Sequence, residues 1–269
     1  MTDSNAARAA GDATETTEAS VTERLDRVTD PELDRSIVAL EYVDRIWIDG
    51  DRVEVAITLP TAWCSPAFAW MMAVDARDEV ESLPSVDEAE ITLREHMHEA
   101  EINRGVNERL SFAEAFPDAD GDVEAVRAEL DEKARVARQY DAVETLLEAG
   151  IDPDTIVDLR PRDLERVERE GCDEAVYAIF LRDRSFAVSV PADPIDRYLE
   201  TARETVVVSD SDDVLFRTPE GEPIDPESFD LVHRRGRLAT VNMSGQGGIC
   251  DGLREAREHR LEGSGTAGD

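Results

Sequence analysis

Residues 43–72 constrain the fold of this chain more than any other stretch. Asp49-Gly50 is a two-residue signal for a tight hairpin turn, because both residue types accept positive φ. Tyr42-Val43, Ile46 and Ile48 lead into it. Val53, Val55, Ile57 and Leu59 lead out, with Glu54 and Thr58 on the alternate face. This period-two pattern predicts a β-hairpin over 43–59 with one buried face. A turn through Pro60 follows, and Cys64-Ser65-Pro66 then opens an apolar run with Phe68, Trp70, Met71, Met72 and Val74. Ser before Pro reads as an N-cap and a first helical residue, since Pro lacks the amide that would be orphaned there. Cys64 therefore precedes a helix N-terminus, where open amides and the helix dipole favour a thiolate. A thiolate is a nucleophile and a soft-metal ligand. A small apolar Cys packing the strand–helix junction explains the same position, so both readings stand.

The flanking sequence completes a small domain. Val80 and Leu83 continue the helix, Pro84-Ser85 ends it, and Val86 to Leu93 reads as a third strand. Upstream, the spacing of Val21, Leu25 and Val28 predicts a short helix over 21–29. Asp30-Pro31-Glu32 breaks it, because the residue before Pro avoids the helical region. Residues 21–95 are thus expected as an α+β domain, a β-hairpin plus third strand packed on helices. Residues 1–20 carry no large apolar residue after Met1 and are expected to be a disordered acidic tail.

Charge and cysteine content set the partners and the compartment. The net charge is −34 and Lys133 is the only lysine. Binding to nucleic-acid phosphates needs clustered cations, which this composition argues against. Acidic residues spread along the whole chain suit a halophilic cytoplasmic protein, where salt screens their repulsion. Three cysteines are too few and too scattered for a disulfide framework. No run of about 18 apolar residues is present, so no membrane span is expected. Residues 1–20 lack the apolar segment of a signal peptide. Free thiols in a reducing cytoplasm are expected.

Several motifs then fall into one order. Asp30-Pro31-Glu32, Ser36-Ile37-Val38, Tyr42-Val43, the hairpin, Thr58-Leu59-Pro60-Thr61 and Cys64-Ser65-Pro66 succeed one another before a helix. In this order and spacing residues 21–95 resemble the PaaD/SufT-type (MIP18-like) domain of iron–sulfur cluster assembly factors. The chain as a whole is similar to long members with an extra C-terminal region. Ser65 departs from the Pro that follows Cys in many members. The resemblance implies that Cys64 is the functional thiol and that Asp30 and Glu32 lie at its site, with Thr58, Thr61 and Ser65 supporting. Taken alone, Asp30-Pro31-Glu32 reads first as a helix break and cap. The resemblance further implies a non-enzymatic factor for iron–sulfur cluster assembly or metalloprotein maturation. Its partners would be client metalloproteins and other cluster-assembly proteins.

The remainder is read from pattern. His96 and His98 share a face only if the strand continues past Leu93, and they would then chelate a metal beside Glu95 or Glu99. On a helix they point apart, and a solvated junction accounts for them equally. Ser111 to Glu114 is a capping box. Asp122 to Ala149 reads as one long helix of about 42 Å, closed by Gly150. Residues 96–150 are expected as a helical connector, since the helix's Ala-rich side makes a thin seam for self-pairing.

Residues 151–269 are expected as a second α/β region. Helices are expected from Asp152-Pro153, over 161–171, from Asp193-Pro194 to about Glu204, and from Pro226 to Leu238. Strands are expected at Tyr177–Leu181, Phe186–Val190, Val206–Val208, Val214–Phe216 and Ala239–Met243. Ser244 to Gly248 is a glycine loop before a last helix carrying Cys250, a second candidate ligand.

Ligand number narrows the chemistry. Iron–sulfur clusters usually take four protein ligands, and Cys64 supplies one. A stably held cluster would need a homodimer contributing two Cys64, with His96, His98 or Cys250 completing the set. Otherwise the cluster is a transient cargo and Cys64 a contact or transfer thiol. No Ser/His/Asp arrangement and no nucleotide motif is present, which argues against an enzyme. Two alternatives stand. One is a dedicated scaffold or chaperone for a metal-dependent oxygenase or hydrolase, acting through the long helix and the C-terminal half. The other is a metal-binding protein centred on His96 and His98.

Overall fold

The computed structural model describes residues 16–119, 123–168, 175–181 and 184–241. The architecture is mixed α+β, as the periodicities predict, and the chain divides into two compact units.

The first unit begins with α1 (Glu18–Leu25). Thr17 caps it through the Ser20 amide, and Ser20 reaches back to the Thr17 backbone. This reciprocal cap starts the helix three residues before Val21, so 16–20 is not tail. Residues 1–15 lie outside the described residues. Val21 and Leu25 are the buried turn of α1. A two-residue ladder of β1 (Thr29–Asp30) and β2 (Arg35–Ser36) follows. The hairpin forms as expected, from β3 (Val43–Asp49) and β4 (Arg52–Thr58), with Gly50 at φ +65. Only the β4 side alternates cleanly, burying Val53, Val55 and Ile57.

Helix α2 (Pro66–Glu81) crosses over, and β5 (Glu88–Arg94) returns parallel to β4. The sheet order is β3-β4-β5, so β5 is an edge. Helix α3 (Glu99–Asn107) covers that edge through its own side chains. Asn107 Oδ1 accepts the Ile91 N–H at 3.0 Å, and its Nδ2 donates to Ile91 O at 2.9 Å. Asn103 makes the same pair with Leu93, at 2.8 and 3.0 Å. Residues i and i+4 share a helix face, so the two amides meet alternate residues of one strand. Gly105 allows the approach: a Cβ there would lie 2.5 Å from the Trp70 ring. Phe112, on α4 (Phe112–Ala115), packs edge-on to Trp70 with ring centroids 5.6 Å apart. Ser111 caps α4 in the predicted box.

The segment 96–150 therefore divides. Helices α3 and α4 belong to the first unit, and α5 (Val123–Glu148) belongs to the second. Around α5 gather α6 (Pro153–Asp158), a three-stranded antiparallel sheet of β6 (Leu164–Val167), β7 (Val176–Leu181) and β8 (Phe186–Pro191), and α7 (Asp193–Glu204). Leu146, Ile156, Ile179, Ile195, Tyr198 and Phe216 lie in its core. The segment Pro31–Asp34 groups with this unit. Asp34, at φ +50, accepts hydrogen bonds from Arg138 Nε at 2.8 Å and Arg197 Nη2 at 3.2 Å.

Three expectations in the second unit are corrected. Residues 161–171 were expected as a helix. The turn Pro161–Asp163 is 3-10, and Leu164 then enters β6, where its backbone pairs with Ile179. Residues 206–208 and 214–216 form no sheet, although Val208, Leu215 and Phe216 are buried. The extended chain after Leu215 is bonded by helix side chains instead. Gln139 Oε1 accepts the Arg217 N–H at 3.1 Å, and its Nε2 donates to Arg217 O at 2.8 Å. Arg135 Nη2 donates to Pro219 O at 2.9 Å. Ala239 to Val241 are helical, within a helix spanning 229–241 that Gly236 seats against Tyr140. Residues 242–269, with the glycine loop and Cys250, lie outside the described residues, as does Cys172.

Candidate functional site

The loop between β4 and α2 carries Cys64. Its thiol is half-buried, and Ser65 is the N-cap of α2 with Pro66 at the first helical position. The expected Ser side-chain cap does not form: Ser65 makes no capping hydrogen bond. The loop is tied instead by Thr61. Thr61 Oγ1 accepts the Trp63 N–H at 2.9 Å, and the Cys64 thiol donates to the same oxygen across 3.9 Å. An oxygen that already accepts an amide keeps its own proton to offer. The Thr61 hydroxyl can therefore turn and donate to sulfur when sulfur is anionic.

A second segment closes over this loop. Strand β5 ends at Arg94, and Glu95 takes φ +54, which turns the chain out of the sheet. His96 and His98 are accordingly on neither a strand nor a helix, and the continued strand that would have aligned them is absent. The His96 ring is 5 % exposed. Its Nε2–H donates to Cys64 O at 3.0 Å, and its Nδ1 accepts the His98 N–H at 3.2 Å. A carbonyl only accepts and an amide only donates, so these partners assign the neutral Nε2–H tautomer. Between them, Met97 N–H donates to Ala62 O at 3.1 Å. With both ring nitrogens engaged, a metal on His96 would have to displace one of these contacts. His98 sits at the N-cap of α3, its ring edge-on to Phe116 at 5.6 Å. Among the described residues no three His, Cys, Asp or Glu side chains are placed to hold one metal ion.

The other candidates have partners of their own or lie in other elements. Asp30 is buried and accepts a hydrogen bond from Tyr42 Oη at 3.2 Å. Glu32 lies in the turn 31–34 that groups with the second unit. Thr58 donates its hydroxyl to Asp44, on the neighbouring strand, rather than to the cysteine loop. Direct contacts join Thr61, Cys64 and His96, all singled out in the sequence. Two contributors escape sequence reading. Trp63 is 76 % exposed and Met97 is 52 % exposed; one is the neighbour of Cys64 in the chain, and the other bonds the loop through its backbone N–H to Ala62 O. Trp63 beside Cys64 was a readable signal. Met97 was not, because its place depends on the positive φ of Glu95.

Comparison with known proteins agrees with the local architecture. Residues 18–93 match the family model described as iron-sulfur cluster assembly protein. The first unit is therefore similar to that family over residues 18–93, less than half of the chain. The match runs from α1 through β5, so it contains Cys64, Thr61, Asp30 and Glu32 and stops three residues short of His96. The assembly domain supports a role in iron–sulfur cluster assembly, and proteins of this type are in general maturation factors rather than enzymes. No curated protein matches the chain. Among the described residues no helix is long and apolar enough to cross a membrane.

Proposed function

We propose that the protein is a cytoplasmic factor for iron–sulfur cluster assembly or metalloprotein maturation that works through Cys64 as a transfer or contact thiol. The observation that carries this reading is the setting of Cys64 within the assembly domain. The thiol is partly open to solvent, one residue before the N-cap of α2, with a hydroxyl at 3.9 Å. The helix end and the Thr61 hydroxyl both favour negative charge on sulfur, the form that binds iron. The cluster is cargo. A single thiolate holds one iron and leaves the remaining positions to the ligands of a partner. In transfer, the incoming client thiol forms a bond to iron as the bond to Cys64 breaks, and its proton passes to the departing Cys64 thiolate, which leaves as a thiol. Exposed Trp63 and Met97 supply apolar contact beside the exchange point. Client metalloproteins and other assembly proteins are the partners this arrangement suits.

The test is maturation of a cluster-dependent enzyme in cells whose only copy carries Cys64→Ser. Client activity is expected to fall at least about tenfold, as for removal of the one thiolate that binds iron. Undiminished activity would overturn the reading. A scaffold for a metal-dependent oxygenase or hydrolase has one observation in its favour, the separate apolar core of the second unit. In that case Cys64→Ser is silent and deletion of 122–269 abolishes client activity.

A further inference from the structure

We propose that His96 is a positioning residue for Cys64, acting as a neutral Nε2–H imidazole that fixes the Cys64 peptide. The inference rests on the transfer-thiol reading and identifies what holds that thiol in place. The first intrahelical bond of α2 runs from Ala69 N–H to Ser65 O. Cys64 O lies one residue before that ladder. The His96 ring reaches it from β5's far end, with Nε2 at 3.0 Å from Cys64 O.

The imidazole is itself fixed at both ends. Its Nδ1 is held by the His98 N–H, which locks the tautomer and the ring plane. Its backbone stands between β5, which is paired along its length with β4, and α3, which Asn103 and Asn107 bind to β5. Met97 N–H binds Ala62 O in parallel. Consecutive residues 96 and 97 thus hold both sides of the exposed Trp63, and rigid elements fix the loop in addition to its own turn at Thr61. A reactive group held in this way needs no reorganisation when a partner arrives. A buried histidine that served packing alone would not need to place a donor on the peptide of the reactive residue.

The test compares His96→Leu with His96→Gln in the full chain. Glutamine carries an amide donor near the position of Nε2, and leucine fills the space without one. Alkylation by iodoacetamide is followed at the Cys64 peptide by mass spectrometry, which separates it from Cys172 and Cys250. His96→Leu is expected to slow Cys64 alkylation about tenfold, the factor one hydrogen bond commonly carries. His96→Gln is expected to stay within about twofold of the parent, since the donor is kept. Equal slowing in both variants, or a parental rate in His96→Leu, would overturn the assignment. Nitrogen-15 NMR of the parent imidazoles gives a readout that needs no variant to fold. It should show His96 as the Nε2–H tautomer, and an Nδ1–H tautomer would exclude the contact. Failure of the transfer-thiol reading shows separately, as full client activity of Cys64→Ser while the His96 variants, which keep Cys64, show the expected alkylation rates.

Discussion

Helices α3 and α5 solve the same problem for two different neighbours. Each carries two polar side chains four residues apart on its buried face, Asn103 and Asn107 on α3 and Arg135 and Gln139 on α5. Each uses an amide side chain to satisfy both the N–H and the C=O of a single extended residue. On α3 the extended residues, Ile91 and Leu93, are the edge of a β-sheet. On α5 the residue is Arg217, in a segment that joins no sheet beyond an isolated bridge to Pro223. A carboxamide offers one donor face and one acceptor face, as a neighbouring strand does. The lesson is that a helix can stand in for a strand, at the margin of a sheet or with little sheet at all. In the second case the cost of failure is concentrated on few residues, because almost no ladder shares it.

The comparison is broken most severely by removing both asparagines. Asn103→Ala with Asn107→Ala leaves four backbone groups on β5 without these partners, and the first unit should lose about 4 kcal/mol, at about 2 kcal/mol per site. Denaturant unfolding reads the loss. Amide exchange at Ile91 and Leu93 should accelerate first, and unchanged protection there would refute the edge role. The α5 counterpart is smaller. Gln139→Leu should cost about 2 kcal/mol and expose the Arg217 amide to exchange, with the β6–β8 ladder less affected. A rise in exchange spread evenly over the second unit would mean that Gln139 is a packing residue.

The smallest effect concerns ordinary helix caps. Ser111→Ala should cost about 1 kcal/mol, because Ser111 accepts the Glu114 N–H. Ser65→Ala should stay within about 0.5 kcal/mol, because no cap bond is lost. Equal costs in thermal unfolding would show that Ser65 caps α2 in solution.

The same comparison explains what could be read in advance. Periodicity recovers the hairpin, α2, β5, α5, β7, β8 and α7, because in each the burial pattern and the hydrogen-bond ladder agree. It fails at 214–216, where buried extended chain is real but its partner is a helix side chain that no period announces. It fails at Leu164, where pairing with Ile179 decides the conformation from outside the segment. At the candidate site, Cys64 and its place before α2 were legible from Ser65-Pro66 alone. Thr61 was legible only through the family pattern. His96 was noticed as a candidate metal ligand, and its place against the Cys64 peptide was not foreseen. Its two nitrogens are consumed by a carbonyl and an amide, and that geometry follows from the left-handed turn at Glu95, a residue type that gives no such signal.

The amide coverage of β5 also bears on how the protein behaves in company. An open strand edge recruits edges from other molecules, and proteins ordinarily blunt such edges with charge, proline or a covering element. Here the covering element is bonded to the edge itself, so an incoming strand would have to displace four hydrogen bonds before making its own. Under the proposed function, a factor meeting unfinished clients with unpaired strands would be protected on that side from being drawn into their aggregates.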